Sequence, residues 1–145
     1  MRYFPIVGTV ILFLTMAACQ DNSQVTIAGL PVEPVVLETG EQVYADNCAA
    51  CHGTNLEGQP DWQQRNPDGT WRGPPHDETG HTWHHDDAYL LERIRSGPAT
   101  LPDDMKATSP MPAYQDILTE DEMQAVLVYI KSTWPHDIQV AQAGR

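Results

Sequence analysis

The chain has 145 residues and a formal net charge of −12, with 20 acidic against 8 basic side chains. This length is enough for one domain with a hydrophobic core. So negative a chain is unsuited to nucleic acid as a partner, and it favours partners that present a basic surface.

The N-terminus has the pattern of an export signal. After a short positively charged start, the apolar run at 6–14 is shorter than a normal membrane span. The small residues that precede Cys19 resemble a bacterial lipoprotein signal. We therefore predict a signal peptide at 1–18, lipid attachment at Cys19, and a membrane-anchored protein on the periplasmic side. An ordinary cleaved signal that ends near Ala18 is the alternative.

The segment after the signal is predicted to be a flexible tether. Residues 19–38 are polar and show little periodicity. We expect the first helix to begin at Thr39, because Thr39 and Gln42 match a capping box. Gly53 is the expected stop of this helix.

The rest of the chain predicts two further helices and long irregular segments. Residues 53–85 are too long a loop for a compact domain unless a large apolar cofactor fills the middle. A second helix is expected at 86–96, where an acidic cap precedes an apolar stripe. The closing helix begins with a capping box at Thr119 and Glu122 and ends before a proline. Residues 136–145 are expected to be a loose tail.

The sequence CAACH carries the most specific signal of the chain. Cys48 and Cys51 lie one helical turn apart and His52 follows directly, which is the signature of covalent haem attachment. In that chemistry the two thiols add to the two vinyl groups of one porphyrin, and the histidine ligates iron. A structural zinc site or a thiol redox pair is also compatible with these residues. A zinc site would need a fourth ligand from His76, His81, His84 or His85.

A second candidate ligand lies between two prolines. Pro110 and Pro112 stiffen the backbone around Met111, so its thioether is well placed to meet iron from the face opposite His52. Met105 is a competing candidate, although its charged neighbours suggest an exposed loop. The ordinary alternative is that Met111 only fills the core.

These motifs together resemble the class I mono-haem c-type cytochromes. The resemblance rests on CAACH at 48–52, PMPAY at 110–114 and the closing helix at 119–134, and it covers residues 39–135. It is weakest at 59–85, since members often have a shorter middle. Residues that resemble the contact between the first and last helices of the family are Gly40, Tyr44 and Tyr129.

The resemblance implies an all-α fold wrapped around one covalently bound haem c. Cys48 and Cys51 would hold the haem, and His52 and Met111 would be its axial ligands. It implies a single-electron carrier rather than an enzyme, with no small-molecule substrate. Its donor and acceptor would be redox proteins, with a basic docking face expected from the charge of this chain.

The stretch His76–His85 is rich in histidine and supports an alternative function. Three histidines within five residues could bind copper, which would make the protein a haem-containing copper-handling or sensing module. The simpler hypothesis is a loop beside the haem, in which Trp71, Arg72 or Trp83 contacts the propionates. His76 is also an alternative axial ligand. The three clustered histidines are His81, His84 and His85.

Overall fold

The computed structural model describes residues 25–145, so the predicted signal peptide and Cys19 lie outside the described residues. This part of the chain is helical with one small hairpin, which confirms the all-α class. No helix within it is long and apolar enough to cross a bilayer. The elements are β1 Thr26–Ile27, β2 Leu30–Pro31, α1 Pro34–Asn47, α2 Ala49–His52, α3 Asp87–Ser96, α4 Asp103–Lys106, α5 Glu120–Ser132 and α6 His136–Ala143, with 3-10 helices at Thr82–His84 and Gly97–Thr100.

The core forms where the first long helix crosses the last long one. A Cβ atom added at Gly40 would overlap the carbonyl oxygen of Ala125, so α1 and α5 approach as closely as their backbones allow. Beside this point the rings of Tyr44 and Tyr129 lie 5.6 Å apart. The crossing predicted from these residues is therefore present. The buried cluster around it comprises Val43, Tyr44, Leu56, Val126, Ile130 and Trp134.

The predicted start of the first helix is wrong. The helix α1 begins at Pro34, and Thr39 lies inside it. Proline is well suited to the first helical position because its missing N–H has no partner there in any case. Gln42 does not cap either, since its side-chain amide donates to Asp46 at 2.8 Å. A threonine followed three residues later by glutamine therefore matched the capping pattern by coincidence.

The other two helix starts agree with the sequence. Asp86 caps α3 by accepting a hydrogen bond of 2.7 Å from the backbone N–H of Tyr89. Thr119 and Glu122 form the reciprocal capping box of α5. Gly97 ends α3 with a φ of +55°, a conformation that favours glycine.

The predicted tether and tail contain secondary structure and contact each other where the structure describes them. Residues 26–31 form the β1–β2 hairpin, whose turn holds Ala28 and Gly29 at positive φ. The N–H of Ala28 donates to the side chain of Gln139 in α6 at 3.0 Å. Gln139 is only 5% exposed. The packing of α6 uses a buried glutamine, so the hydrophobic pattern of the sequence did not reveal it.

Candidate haem site

The two cysteines and His52 share one face of a short helical turn. The helix α1 ends at Asn47, Cys48 is its C-cap, and α2 begins at Ala49. The N–H of His52 donates to the carbonyl of Cys48 at 2.9 Å, so the turn has helical geometry. Cys51 and His52 therefore lie three and four positions after Cys48, on the same side of the turn. This is the arrangement that one porphyrin edge and its iron require.

The environment of Cys48 does not suit a thiol redox centre. Its side chain is half-buried, whereas that of Cys51 is exposed. Burial, and then the charge of Cys51, raises the pKa of Cys48 to about 11. A thiol with this pKa is protonated at neutral pH, whereas thiol–disulfide exchange needs a thiolate. Cys48 is therefore badly suited to be the attacking thiol of a redox pair.

The imidazole of His52 is held in the tautomer that a metal ligand needs. Its Nδ1 lies 2.8 Å from the carbonyl oxygen of Pro74. A carbonyl only accepts, so Nδ1 carries the proton and Nε2 keeps its lone pair for a metal. Burial lowers the pKa of His52, and the hydrogen bond to Pro74 opposes part of that shift. The neutral imidazole that metal ligation requires is therefore favoured.

Gly73 allows the Pro74 carbonyl to reach His52. A Cβ atom added at Gly73 would overlap the carbonyl oxygen of Cys51. Gln59 fixes this segment from the other side, since its side-chain oxygen accepts from the N–H of Gly73 at 2.8 Å. The backbone of the middle loop therefore lies directly against the CAACH turn. Sequence reasoning missed this contact, because a backbone acceptor leaves no side-chain signature.

His76 lies on the same side as His52 and not opposite it. The two rings are stacked, with centroids 4.0 Å apart and planes inclined by 29°. A ring stacked on His52 is badly placed to bind the far side of a metal that His52 would hold, which argues against His76 as an axial ligand. Burial lowers the pKa of His76 well below its usual value, and the charges of His52 and His81 lower it further.

The loop that carries Met111 is fastened next to the cysteine motif. The hydroxyl of Tyr114 donates to the carbonyl of Asn47 at 2.6 Å, and Asn47 immediately precedes Cys48. At the N-terminal end of the loop, the carbonyl of Thr108 accepts from the backbone N–H of Trp71 at 2.8 Å. Met111 is half-buried between these two anchors. The competing Met105 is 44% exposed.

Arg93 provides a test of whether the site suits a haem. Both terminal nitrogens of its guanidinium are buried, and neither has a hydrogen-bond partner among residues 25–145. A buried cation without a partner is costly, so this position calls for an anionic group. A haem has two propionates, and one of them at Arg93 would satisfy the guanidinium. The two thiols, the neutral imidazole of His52 and this unpaired guanidinium are all groups that a haem would engage.

Sequence reasoning missed Arg93 and named other propionate partners. Arg93 is three positions from Leu90 and adjacent to Ile94, so the detectable signal was a charge beside the apolar stripe of α3. The predicted partner Arg72 is already engaged, because it donates to the carbonyl of Pro60 at 2.7 Å. The indole N–H of Trp83 faces the carbonyl of Glu78 at 3.4 Å.

The histidine-rich stretch does not form a metal site in the described residues. Within 25–145, no group of three or more His, Cys, Asp or Glu side chains could hold a metal ion. The rings stack instead. His81 packs on Trp62 with centroids 5.7 Å apart, and His85 packs on Tyr89 at 4.2 Å. The copper and zinc hypotheses therefore have no geometric support.

Comparison with known proteins agrees with this geometry. The model of the family described as Cytochrome c matches residues 37–134. The match covers more than half of the chain, and the chain therefore belongs to the cytochrome c family. Cys48 and Cys51 are the cysteines of its attachment motif, so the cofactor is covalently bound haem c with iron.

The curated relatives are subunits of larger assemblies. The chain is 29% identical to the Cbb3-type cytochrome c oxidase subunit FixP of Bradyrhizobium sp. (strain ORS 278) over 74% of its own length and 31% of the relative. It is 27% identical to the FixP subunit of Rhizobium meliloti (strain 1021), over 78% and 37%. The chain thus spans about a third of the length of these relatives. No solved structure matches it.

Proposed function

We propose that the protein is a single-electron carrier whose haem c has His52 and Met111 as axial ligands. The observation that carries this proposal is the hydrogen bond from Nδ1 of His52 to the Pro74 carbonyl, which leaves Nε2 free on the same face as the two cysteines. The position of the Met111 loop, fastened beside Cys48 through Tyr114, supports the second ligand.

The residues of the site orient the cofactor and balance its charge. Cys48 and Cys51 would hold the porphyrin edge, and the Pro74 hydrogen bond would keep the ring of His52 from turning away. Arg93 would neutralise a propionate. Haem iron supplies a one-electron couple between its ferric and ferrous states. With both axial positions filled, the protein would transform no substrate.

The test is the optical spectrum of the full chain matured with haem c. We expect haem that stays on the chain in denaturing electrophoresis. We also expect the weak far-red band of an iron–methionine bond in the oxidised protein. Met111→Ala should remove this band completely, because the thioether is its source. A colourless protein that contains zinc would overturn the proposal.

Met105→Ala is the matched control for the second ligand. Met105 is exposed and lies in α4, outside the loop that Tyr114 fastens beside Cys48. Its removal should leave the far-red band in place. Loss of the band in Met105→Ala, together with its retention in Met111→Ala, would show that the two methionines have been assigned the wrong way round.

We further propose that the electron partner is a respiratory oxidase with a basic docking face. The names of the relatives support an oxidase, and the charge of −12 supports a basic partner. Two large apolar side chains flank the Met111 loop and are open to solvent, namely Met105 at 44% and Ile117 at 61% exposed. They would supply the apolar part of a small, transient interface.

We also propose that the protein is exported and anchored on the periplasmic side through a lipid on Cys19. The support is the sequence pattern of the first 19 residues and the similarity to the FixP proteins, which are oxidase subunits. A stable association with an oxidase, as an accessory subunit, is the second candidate for its role. The same names favour it over a freely diffusing shuttle.

A further inference from the structure

The ring face of His52 is covered by a second imidazole that is itself firmly held. His76 stacks on it with ring centroids 4.0 Å apart. The backbone N–H of His76 donates to the carbonyl of Leu56 at 2.7 Å. The backbone carbonyl of His76 accepts from the indole N–H of Trp134 at 2.7 Å. Its Nδ1 lies 2.9 Å from the hydroxyl oxygen of Thr82. Backbone and ring are therefore fixed from three directions.

The two contacts to His52 restrain different motions. The hydrogen bond to Pro74 acts in the plane of the imidazole and fixes the direction of Nδ1. The stacked ring of His76 acts on the face of the imidazole and resists rotation about the Cβ–Cγ bond. Both contacts come from the short segment Pro74–Pro75–His76, in which Pro75 is fully buried. The segment therefore restrains His52 as one rigid unit.

We propose that His76 is a positioning residue that fixes the rotational orientation of the axial imidazole. This inference rests on the proposed ligation of iron by His52. The orientation of an imidazole plane over a haem determines how the iron d orbitals split. A contact on the ring face therefore acts on the electronic structure of the centre without touching the iron.

The experiment compares His76→Phe with His76→Leu in the full chain carrying haem c. Both variants lose the hydrogen bond to Thr82, but only phenylalanine keeps a flat ring against His52. The measurements are the electron paramagnetic resonance g values of the ferric protein and the order of its haem methyl proton shifts. We expect the leucine variant to shift the largest g value and reorder the methyl signals, and the phenylalanine variant to resemble the wild type.

Two further variants distinguish the effect of the His76 ring on His52 from the effect of the hydrogen bond between His76 and Thr82. His76→Gln keeps a hydrogen-bonding group toward Thr82 but has no ring, so it should behave like the leucine variant and replaces it if that variant loses haem. Thr82→Val removes the hydroxyl but keeps the ring of His76, whose backbone is still held by Leu56 and Trp134, so its spectra should change less than those of the leucine variant.

The outcomes distinguish this inference from the proposed function. Leucine and glutamine variants with wild-type spectra, or a phenylalanine variant as altered as they are, would overturn the role of His76 alone. A wild-type protein without a low-spin ferric signal would overturn the axial ligation by His52 and the role of His76 together.

Discussion

The guanidinium of Arg93 holds a positive charge in a place that water does not reach. Its terminal nitrogens have no partner among residues 25–145, so a haem propionate is the anion that would make this burial favourable. Arg93→Leu should lower the free energy of unfolding of the haem-loaded protein by roughly 3 kcal/mol, because it would leave the propionate buried and unpaired. Chemical denaturation followed at the haem absorption measures this difference.

Arg65→Leu is the control for the loss of one positive charge. Arg65 is exposed and its guanidinium lies 4.2 Å from the ring centroid of Trp71. Its removal should change the unfolding free energy by less than about 1 kcal/mol. Equal stability of Arg93→Leu and the wild type would refute the pairing of Arg93 with a propionate.

At the scale of single residues, the sequence predicted the roles that depend on side chains but not those that depend on backbone groups. Cys48, Cys51 and His52 could be named because the motif needs those side chains in that order, and the structure brings them to one face of a turn. The Pro74 carbonyl that orients His52 could not be named, since every residue has a carbonyl. It becomes specific only through the close approach of Gly73.

The helix starts show what a local pattern can and cannot determine. Thr119→Ala should destabilise the protein by about 1 kcal/mol, because it removes the side chain that caps α5. Thr39→Ala is the matched control, since Thr39 has the same spacing to a glutamine but lies inside α1. Its effect should be within about 0.5 kcal/mol. Denaturant unfolding of both variants measures the contrast, and equal losses would contradict the assigned caps.

At the scale of elements, the two capped helices α3 and α5 were predictable and the two ends of the domain were not. The helix α6 packs through Gln139 and Gln142, which are 5% and 2% exposed. Their amides bond to groups such as the carbonyl of Trp134, at 2.9 Å, and the carboxylate of Asp87, at 2.6 Å. Burial of this kind depends on tertiary partners and leaves no apolar periodicity. The hairpin was missed for a related reason, since strands of two residues are too short to alternate.

At the scale of the whole molecule, charge should govern the encounter with a partner. Opposite charges attract over about one Debye length, which salt shortens. Electron transfer to a basic oxidase should therefore slow as salt is raised. At low salt, Asp104→Asn, in the segment that leads to Met111, should make electron transfer slower than in the wild type. Asp137→Asn, in α6, should leave the rate unchanged. Stopped-flow oxidation measures these rates, and a rate independent of salt would exclude a basic docking face.

The hairpin packed on α6 also limits how far the domain could travel from an anchor. Cys19 lies six residues before Val25, where the described structure begins. Whatever conformation those residues adopt, they span at most about 20 Å. A free segment from 19 to 38 could have reached at most roughly 65 Å. A domain anchored at Cys19 is thus confined to a thin layer at the membrane surface. Its partners must present their acceptor groups within that layer.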